Sequence, residues 1–167
     1  MFDNLFGDKK RDLKKEIQEI VSEILEKGSF SLSFQLEEEE ENRFKVDIFG
    51  EDEGLLKTKK GRLLLAFQTY LLRYAYNQFP ETKISIVVDS NGFWEENERR
   101  LMDLTEELMS RALDSNKPVK FKKELSPNQR RLIHEKVSGN TGVRSVSIGE
   151  GTYKIIKLIP DTFRSDD

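Results

Sequence analysis

Two short stretches of this 167-residue chain carry side chains whose types and spacing suit the binding of an anion. The first is Leu55-Leu56-Lys57-Thr58-Lys59-Lys60-Gly61-Arg62, where Lys57, Lys59, Lys60 and Arg62 set four cations within six residues. They lead into a helical apolar pattern. A helix start presents free backbone N–H groups and the positive end of its dipole, so phosphate is the natural ligand. An ordinary solvated helix start is the competing reading of the same residues. The second stretch is Asn128-Gln129-Arg130-Arg131-Leu132-Ile133-His134. Arg130 and His134 lie four apart and so share a helix face, with Leu132, Ile133 and Val137 toward the other side. With Lys120, Lys122 and Lys123 upstream they make a phosphate cradle. Arg130 brings a permanent charge and a planar fork. His134 gains charge on protonation, so binding is expected to strengthen as pH falls from about 8 to 6. Arg131 faces Glu135 one turn on, which partly neutralises it.

Other chemistries find no support. There is no cysteine, which excludes disulfides, thiol catalysis and Cys-based zinc sites. His134 is the single histidine, a potential general base. No nucleophile motif, Walker loop, Gly-rich dinucleotide turn or metal-ligand cluster accompanies it. The expectation is a chain that binds rather than catalyses, with no cofactor and no metal. The five carboxylates Glu37 to Glu41 read as a solvated hairpin loop, since a consecutive run does not by itself make a cage.

The elements that must position these stretches follow from periodicity. Leu13, Ile17, Ile20, Val21, Ile24 and Leu25 recur at three and four and predict a helix over 8–27. Alternation at Phe30, Leu32, Phe34 and Leu36, and again at Phe44, Val46 and Ile48, predicts two strands. Residues 50–57 are turn-like with about one helical turn. A helix over 62–78 follows, with Leu63, Phe67, Tyr70, Leu71 and Tyr74 on its buried face. Ile84, Ile86 and Val88 make a third strand, closed by the turn Asp89-Ser90-Asn91-Gly92. A helix over 93–112 carries the stripe Trp94, Leu101, Leu104, Leu108 and Ala112. After a short basic strand over 119–123, Ser126, Pro127 and Gln129 form a capping box for the helix that bears Arg130 and His134. Two strands, over 143–148 and 153–159, close the chain.

Charge is uneven. Net charge is −3, yet residues 1–50 carry 8 basic and 13 acidic side chains, whereas residues 116–159 carry 10 basic and 3 acidic. An acidic chain can still present a local positive face. Hydrophobic residues make up 36% and charged residues 35%, the balance of small modules with much exposed surface. No apolar run approaches the roughly 18–20 residues of a membrane span, and the N-terminus lacks the pattern of a signal peptide. A cytoplasmic protein is expected.

The order of the first elements, two strands, a short helix, a tight basic loop, a long helix and a third strand, resembles the type II KH domain. That family clamps single-stranded backbone with a Gly-x-x-Gly loop. The aligned residues are Thr58-Lys59-Lys60-Gly61, with Thr58 in place of the first glycine. A β-branched residue resists positive φ, so Thr58 is expected to hold the backbone away from a phosphate. The Arg130-x-x-x-His134 run, with its preceding long helix and closing strands ending in Ile155-Ile156-Lys157-Leu158-Ile159-Pro160, resembles the R-three-H domain. Together, over roughly 10–160, the two resemble the Jag family of bacterial SpoIIIJ-associated proteins. The resemblance implies an α+β fold: a type II KH-like domain over 10–91, a three-stranded sheet packed by helices, then a small R-three-H-like α+β domain over 92–160. Residues 1–9 and 161–167 would be tails. It further implies a cytoplasmic protein binding single-stranded RNA (or single-stranded DNA), tied to cell elongation, with a small single-KH protein or a second copy as partner. The implied contacts are Lys57, Thr58, Lys59, Lys60, Gly61 and Arg62 in one module, and Lys120, Lys122, Arg130, Arg131 and His134 in the other. The alternative is a protein-interaction or dimerisation module that has lost KH-type binding.

Overall fold

The computed structural model describes residues 3–164, with side chains from Leu13 onward. The chain is α+β and divides into two compact units after Trp94.

In the first unit, α1 (Asp3–Lys27) is followed by β1 (Leu32–Glu40), β2 (Arg43–Gly50), α2 (Glu53–Gln78) and β3 (Ser85–Asp89). The sheet order is β1-β2-β3, with β1 antiparallel and β3 parallel to the central strand. Alternation along β2 sends Phe44, Val46 and Ile48 into the core, where all three are fully buried. Leu13, Ile17, Val21 and Leu25 of α1 meet them there, as do Leu56, Leu64, Phe67, Leu71 and Ala75 of α2. The α1 stripe is the expected one. Its helix starts at Asp3 rather than near residue 8, and so takes in most of the stretch assigned to an N-terminal tail. Residues 1–2, and 165–167 of the expected C-terminal tail, lie outside the described residues.

Two expectations in this unit change. The acidic run is not a loop, because Glu37–Glu40 continue β1 and the turn is only Glu41-Asn42. Asn42 takes φ 59°, a conformation asparagine tolerates. The glutamates remain exposed and face cations across the ladder: Glu37 lies opposite Lys45, and Arg43 bonds Glu40 at 3.1 Å. Pairing therefore costs the carboxylates no hydration. On α2 the buried stripe runs Leu64, Phe67, Leu71 and Ala75, while Tyr70 is 53% exposed. The helix phase is set where it restarts after the basic loop, which turns Tyr70 to the flank.

The second unit contains most of α3 (Phe93–Ser115), then β4 (Val119–Lys120), α4 (Pro127–Ser138), β5 (Val143–Ile148) and β6 (Ile155–Pro160). The sheet is antiparallel in the order β4-β6-β5. One face buries Ile156 and Leu158 with Leu108, Met109 and Ala112 of α3 and Ile133 and Val137 of α4. The stripe of α3 shifts: Leu104 is 41% exposed and Thr105 is buried, its hydroxyl satisfied by Leu101 O at 2.7 Å. The basic strand expected over 119–123 ends at Lys120, although Phe121 N still bonds Ile156 O. From residue 161 the chain is held rather than frayed as far as residue 163. Asp161 N donates to Gly142 O at 2.9 Å and Thr162 Oγ1 to Asn116 Oδ1 at 2.8 Å. No helix among the described residues is long and apolar enough to cross a membrane.

Candidate nucleic-acid interface

The first basic stretch lies in a break in α2. Residues 53–57 form one helical limb and 62–78 the other, with Thr58 to Gly61 non-helical between them. Thr58 is extended at φ −63°, and its Oγ1 donates to Leu55 O at 2.7 Å, closing the first limb. Lys59, Lys60 and Gly61 then take φ 47°, 63° and 72°, three successive left-handed residues. The strain anticipated at Thr58 is thus absent there and falls on the two lysines. For L-residues that conformation costs roughly 1–2 kcal/mol each. Strain of this kind concentrates at ligand clamps and switch regions.

What holds the loop in this shape lies beneath it. Gly61 is buried, and a Cβ on it would come within 2.5 Å of Phe93 and 2.7 Å of Trp94. The two rings pack edge to face with centroids 5.0 Å apart. Trp94 Nε1 donates to Val88 O at 2.8 Å, and Asp89 Oδ1 accepts from Trp94 N at 3.3 Å. The turn after β3 therefore anchors a small aromatic floor on which the loop glycine rests. Nothing in the spacing of Phe93 and Trp94 revealed that role.

The four cations differ. Lys57 is half-buried and pairs with Glu53 at 3.1 Å, and Glu53 also accepts from Asn91 Nδ2 at 2.6 Å. Lys57 and then Asn91 hold the Glu53 carboxyl below its ordinary range. Lys59, Lys60 and Arg62 are exposed and form no ion pair with a described residue. They are the charges free to meet a ligand at the start of the second limb.

Since glycine adopts the left-handed region without strain, Lys59→Gly and Lys60→Gly should each raise stability by about 1 kcal/mol. The same changes should weaken binding of an anionic ligand. Thermal melting and a binding titration on the same samples check this. A lower melting temperature in both variants would show that the lysine side chains support the loop.

In the second unit, Ser126 and Gln129 form the expected capping box: Ser126 Oγ accepts from Gln129 N and Gln129 Oε1 from Ser126 N. The box sets the start of α4, and Ile133 and Val137 set which face is buried. Arg130 and His134 come together as their spacing requires, and their polar ends reach β5. Arg130 Nη1 contacts Ser147 Oγ at 3.4 Å and Nη2 donates to Thr152 O at 3.1 Å. His134 Nδ1 lies 2.6 Å from Ser145 Oγ and Nε2 3.0 Å from Ser147 Oγ. Arg130 Nε is buried and has no hydrogen-bond partner among the described residues. Burial, and secondarily the Arg130 charge, push His134 below the usual histidine range. A binding rise between pH 8 and 6 therefore shifts toward acid.

Of the other candidates, Arg131 pairs with Glu135 at 2.6 Å on the wet side of α4. Lys122 is exposed beyond the end of β4. Lys120 does not join the Arg130–His134 group. It lies opposite Lys157, which pairs with Val146, whereas Ser145 and Ser147 occupy the alternate positions of β5. Pleat alternation therefore sends Lys120 to the other face of the sheet. Ser145 and Ser147 escaped the sequence reading, although two polar residues at core-side positions of a strand were a usable signal. The Thr152 carbonyl carried none. Among the described residues no group of three or more His, Asp or Glu is placed to hold a metal ion.

Comparison with known proteins gives two findings. Residues 99–160 match the family model of the R-three-H domain, a stretch that includes β4, α4, β5 and β6. The chain is also similar to the RNA-binding protein KhpB of Clostridium symbiosum, 22% identical over 147 residues. The aligned region is 87% of this chain and 65% of that protein.

Proposed function

We propose that this chain binds single-stranded RNA and catalyses no reaction on it. The observation that carries the reading is the break in α2. Three exposed cations, Lys59, Lys60 and Arg62, flank a backbone strained into left-handed geometry at a helix start. An anion there meets free N–H groups as well as charge. The R-three-H match over the second unit and the name of the KhpB relative support RNA as that anion. In this reading the first unit is KH-like, with Thr58-Lys59-Lys60-Gly61 as its backbone clamp. Arg130 and His134 are the contact pair of the second unit. The protein acts in the cytoplasm as a Jag-like post-transcriptional regulator or RNA chaperone linked to cell elongation, with a single-KH protein or a second copy as partner.

Binding should be salt-dependent and favour single strands over duplex. With about four phosphates neutralised, log K falls against log salt with a slope near −3, at roughly 0.7 per phosphate. Fluorescence anisotropy with a short unstructured RNA and its duplex, across a salt series, measures both. A flat salt response, or equal affinity for the duplex, sinks the reading.

The second reading is a protein-interaction module. Leu55 and Leu65, 50% and 47% exposed on α2, favour it. Sedimentation of the chain over a concentration series, with and without RNA, separates the two: self-association without RNA affinity selects the interaction module.

A further inference from the structure

We infer that the outer face of the second sheet is an additional contact for single-stranded RNA, with Tyr153 stacking a base while Lys120, Arg144 and Lys157 take the flanking phosphates. The inference rests on the RNA-binding reading and adds a surface that neither the helix pair nor the α2 loop supplies.

The face follows from register. Lys120, Lys157 and Val146 stand side by side across the three strands, and Arg144 and Ile148 flank Val146 at alternate positions of β5. All are opposite in pleat to the buried Ile156 and Leu158. The isolated bridge between Leu125 and Lys154 extends the run of β6 backward. Alternation then puts Tyr153 in line with Lys157.

Four features mark this face as more than a solvated back. Tyr153, Ile148 and Val146 are 59%, 42% and 39% exposed, so an aromatic and two aliphatic side chains lie open between the cations. No strand position on the face carries a carboxylate, and none of its three cations forms an ion pair with a described residue. Lys120 directly opposes Lys157, a like-charge pair that destabilises a sheet and that nothing in the fold requires. A polyanion laid across the strands turns that repulsion into attraction. Finally, the backbone around Tyr153 is fastened on both sides. Arg130 holds the Thr152 carbonyl at 3.1 Å, and Lys154 exchanges two backbone hydrogen bonds with Leu125 at 2.8 and 3.2 Å. An exposed ring on a pinned backbone loses little freedom when a base stacks on it. Stacking needs an unpaired base, which selects single strands.

The test uses the full chain with a short oligouridylate and an abasic ribose-phosphate oligomer of the same length. Wild type should prefer the base-bearing oligomer by on the order of tenfold. Tyr153→Leu should lose that preference and keep its affinity for the abasic oligomer. With these three phosphates added to the four of the other sites the wild-type salt slope steepens to about −5, and the triple variant Lys120→Gln, Arg144→Gln, Lys157→Gln should return it to near −3, at roughly 0.7 per phosphate contact, without a lower melting temperature. If both variants match wild type on both oligomers while Lys59→Gly or Lys60→Gly weakens binding, the outer face is overturned and the RNA reading stands. If wild type binds neither oligomer, the RNA reading falls and takes this inference with it. Loss of self-association in the triple variant, with RNA affinity unchanged, would overturn the inference by assigning the face to contact between copies.

Discussion

Gly61→Ala should destabilise the first unit by about 2–4 kcal/mol, summing left-handed strain of roughly 1–2 kcal/mol with an overpacking cost of similar size. Gly61 sits at φ 72° with its missing Cβ directed at the Phe93 and Trp94 rings. Neither can yield freely: Phe93 is 9% exposed and Trp94 is tied to the Val88 carbonyl. In a unit of this size each kcal/mol moves the melting point by roughly 4–8 °C. Trp94 is the only tryptophan, so its fluorescence reports from the point of the clash. Thr58→Ala is the contrast. It removes one hydroxyl bond to Leu55 O and should cost about 1 kcal/mol. Gly61→Ala melting like wild type, with unchanged Trp94 emission, would mean that the loop does not rest on the aromatic floor.

The second large effect is expected at Arg130. Arg130→Ala removes the donors to Ser147 Oγ and the Thr152 carbonyl, so stability should fall by about 1–3 kcal/mol. RNA affinity should fall about tenfold or more, because a hydrogen bond from a charged group is worth roughly 1.5–3 kcal/mol. Arg131→Ala should have a smaller effect, since its partner is an exposed Glu135 and such pairs contribute about 0–1 kcal/mol. His134 adds a pH signature. In the folded chain its pKa is lowered, so between that value and the ordinary one of about 6.5 the unfolded chain binds more protons. The stability contribution is complete above 6.5 and is lost as pH falls through the folded value. A phosphate near the ring favours its charged form, so affinity should climb as pH falls and level off only below the lowered value. His134→Gln should flatten that climb. Binding titrations at several pH values, with circular dichroism to establish folding, check both variants. If Arg130→Ala and His134→Gln fold and bind like wild type at every pH, the pair is a structural stitch between α4 and β5.

The stitching itself changes the meaning of the motif. An Arg and a His one turn apart were legible as a shared face, because four residues span one helical turn whatever surrounds them. Their direction toward Ser145, Ser147 and Thr152 was not, because it depends on how α4 packs on β5. Lys120 shows the same limit. It lies close to Arg130 in the sequence, which suggests one group, yet strand register places it on the opposite face beside Lys157. A one-residue change of register reverses every side chain on a strand, and no local pattern encodes the partner's register.

Features decided within one or two turns of chain were determined by the sequence alone. These include the α1 stripe from Leu13 to Leu25, the alternation of Phe44, Val46 and Ile48, the capping box at Ser126 and Gln129, the order of elements and the break at Thr58 to Gly61. Periodicity and capping act through neighbours a few residues away, so their physics is complete in the local string. Tertiary structure alone decided the rest. It moved the left-handed strain from Thr58 to Lys59 and Lys60, because Gly61 must close on Phe93 and Trp94 more than thirty positions onward. It extended the acidic run into β1, because Lys45 and Arg43 stand across the ladder. It separated the cations of the second unit onto two faces of a sheet. In each case the deciding contact is made across the fold, between the loop and the aromatic rings or between paired strands, and no single helical or strand pattern contains both partners.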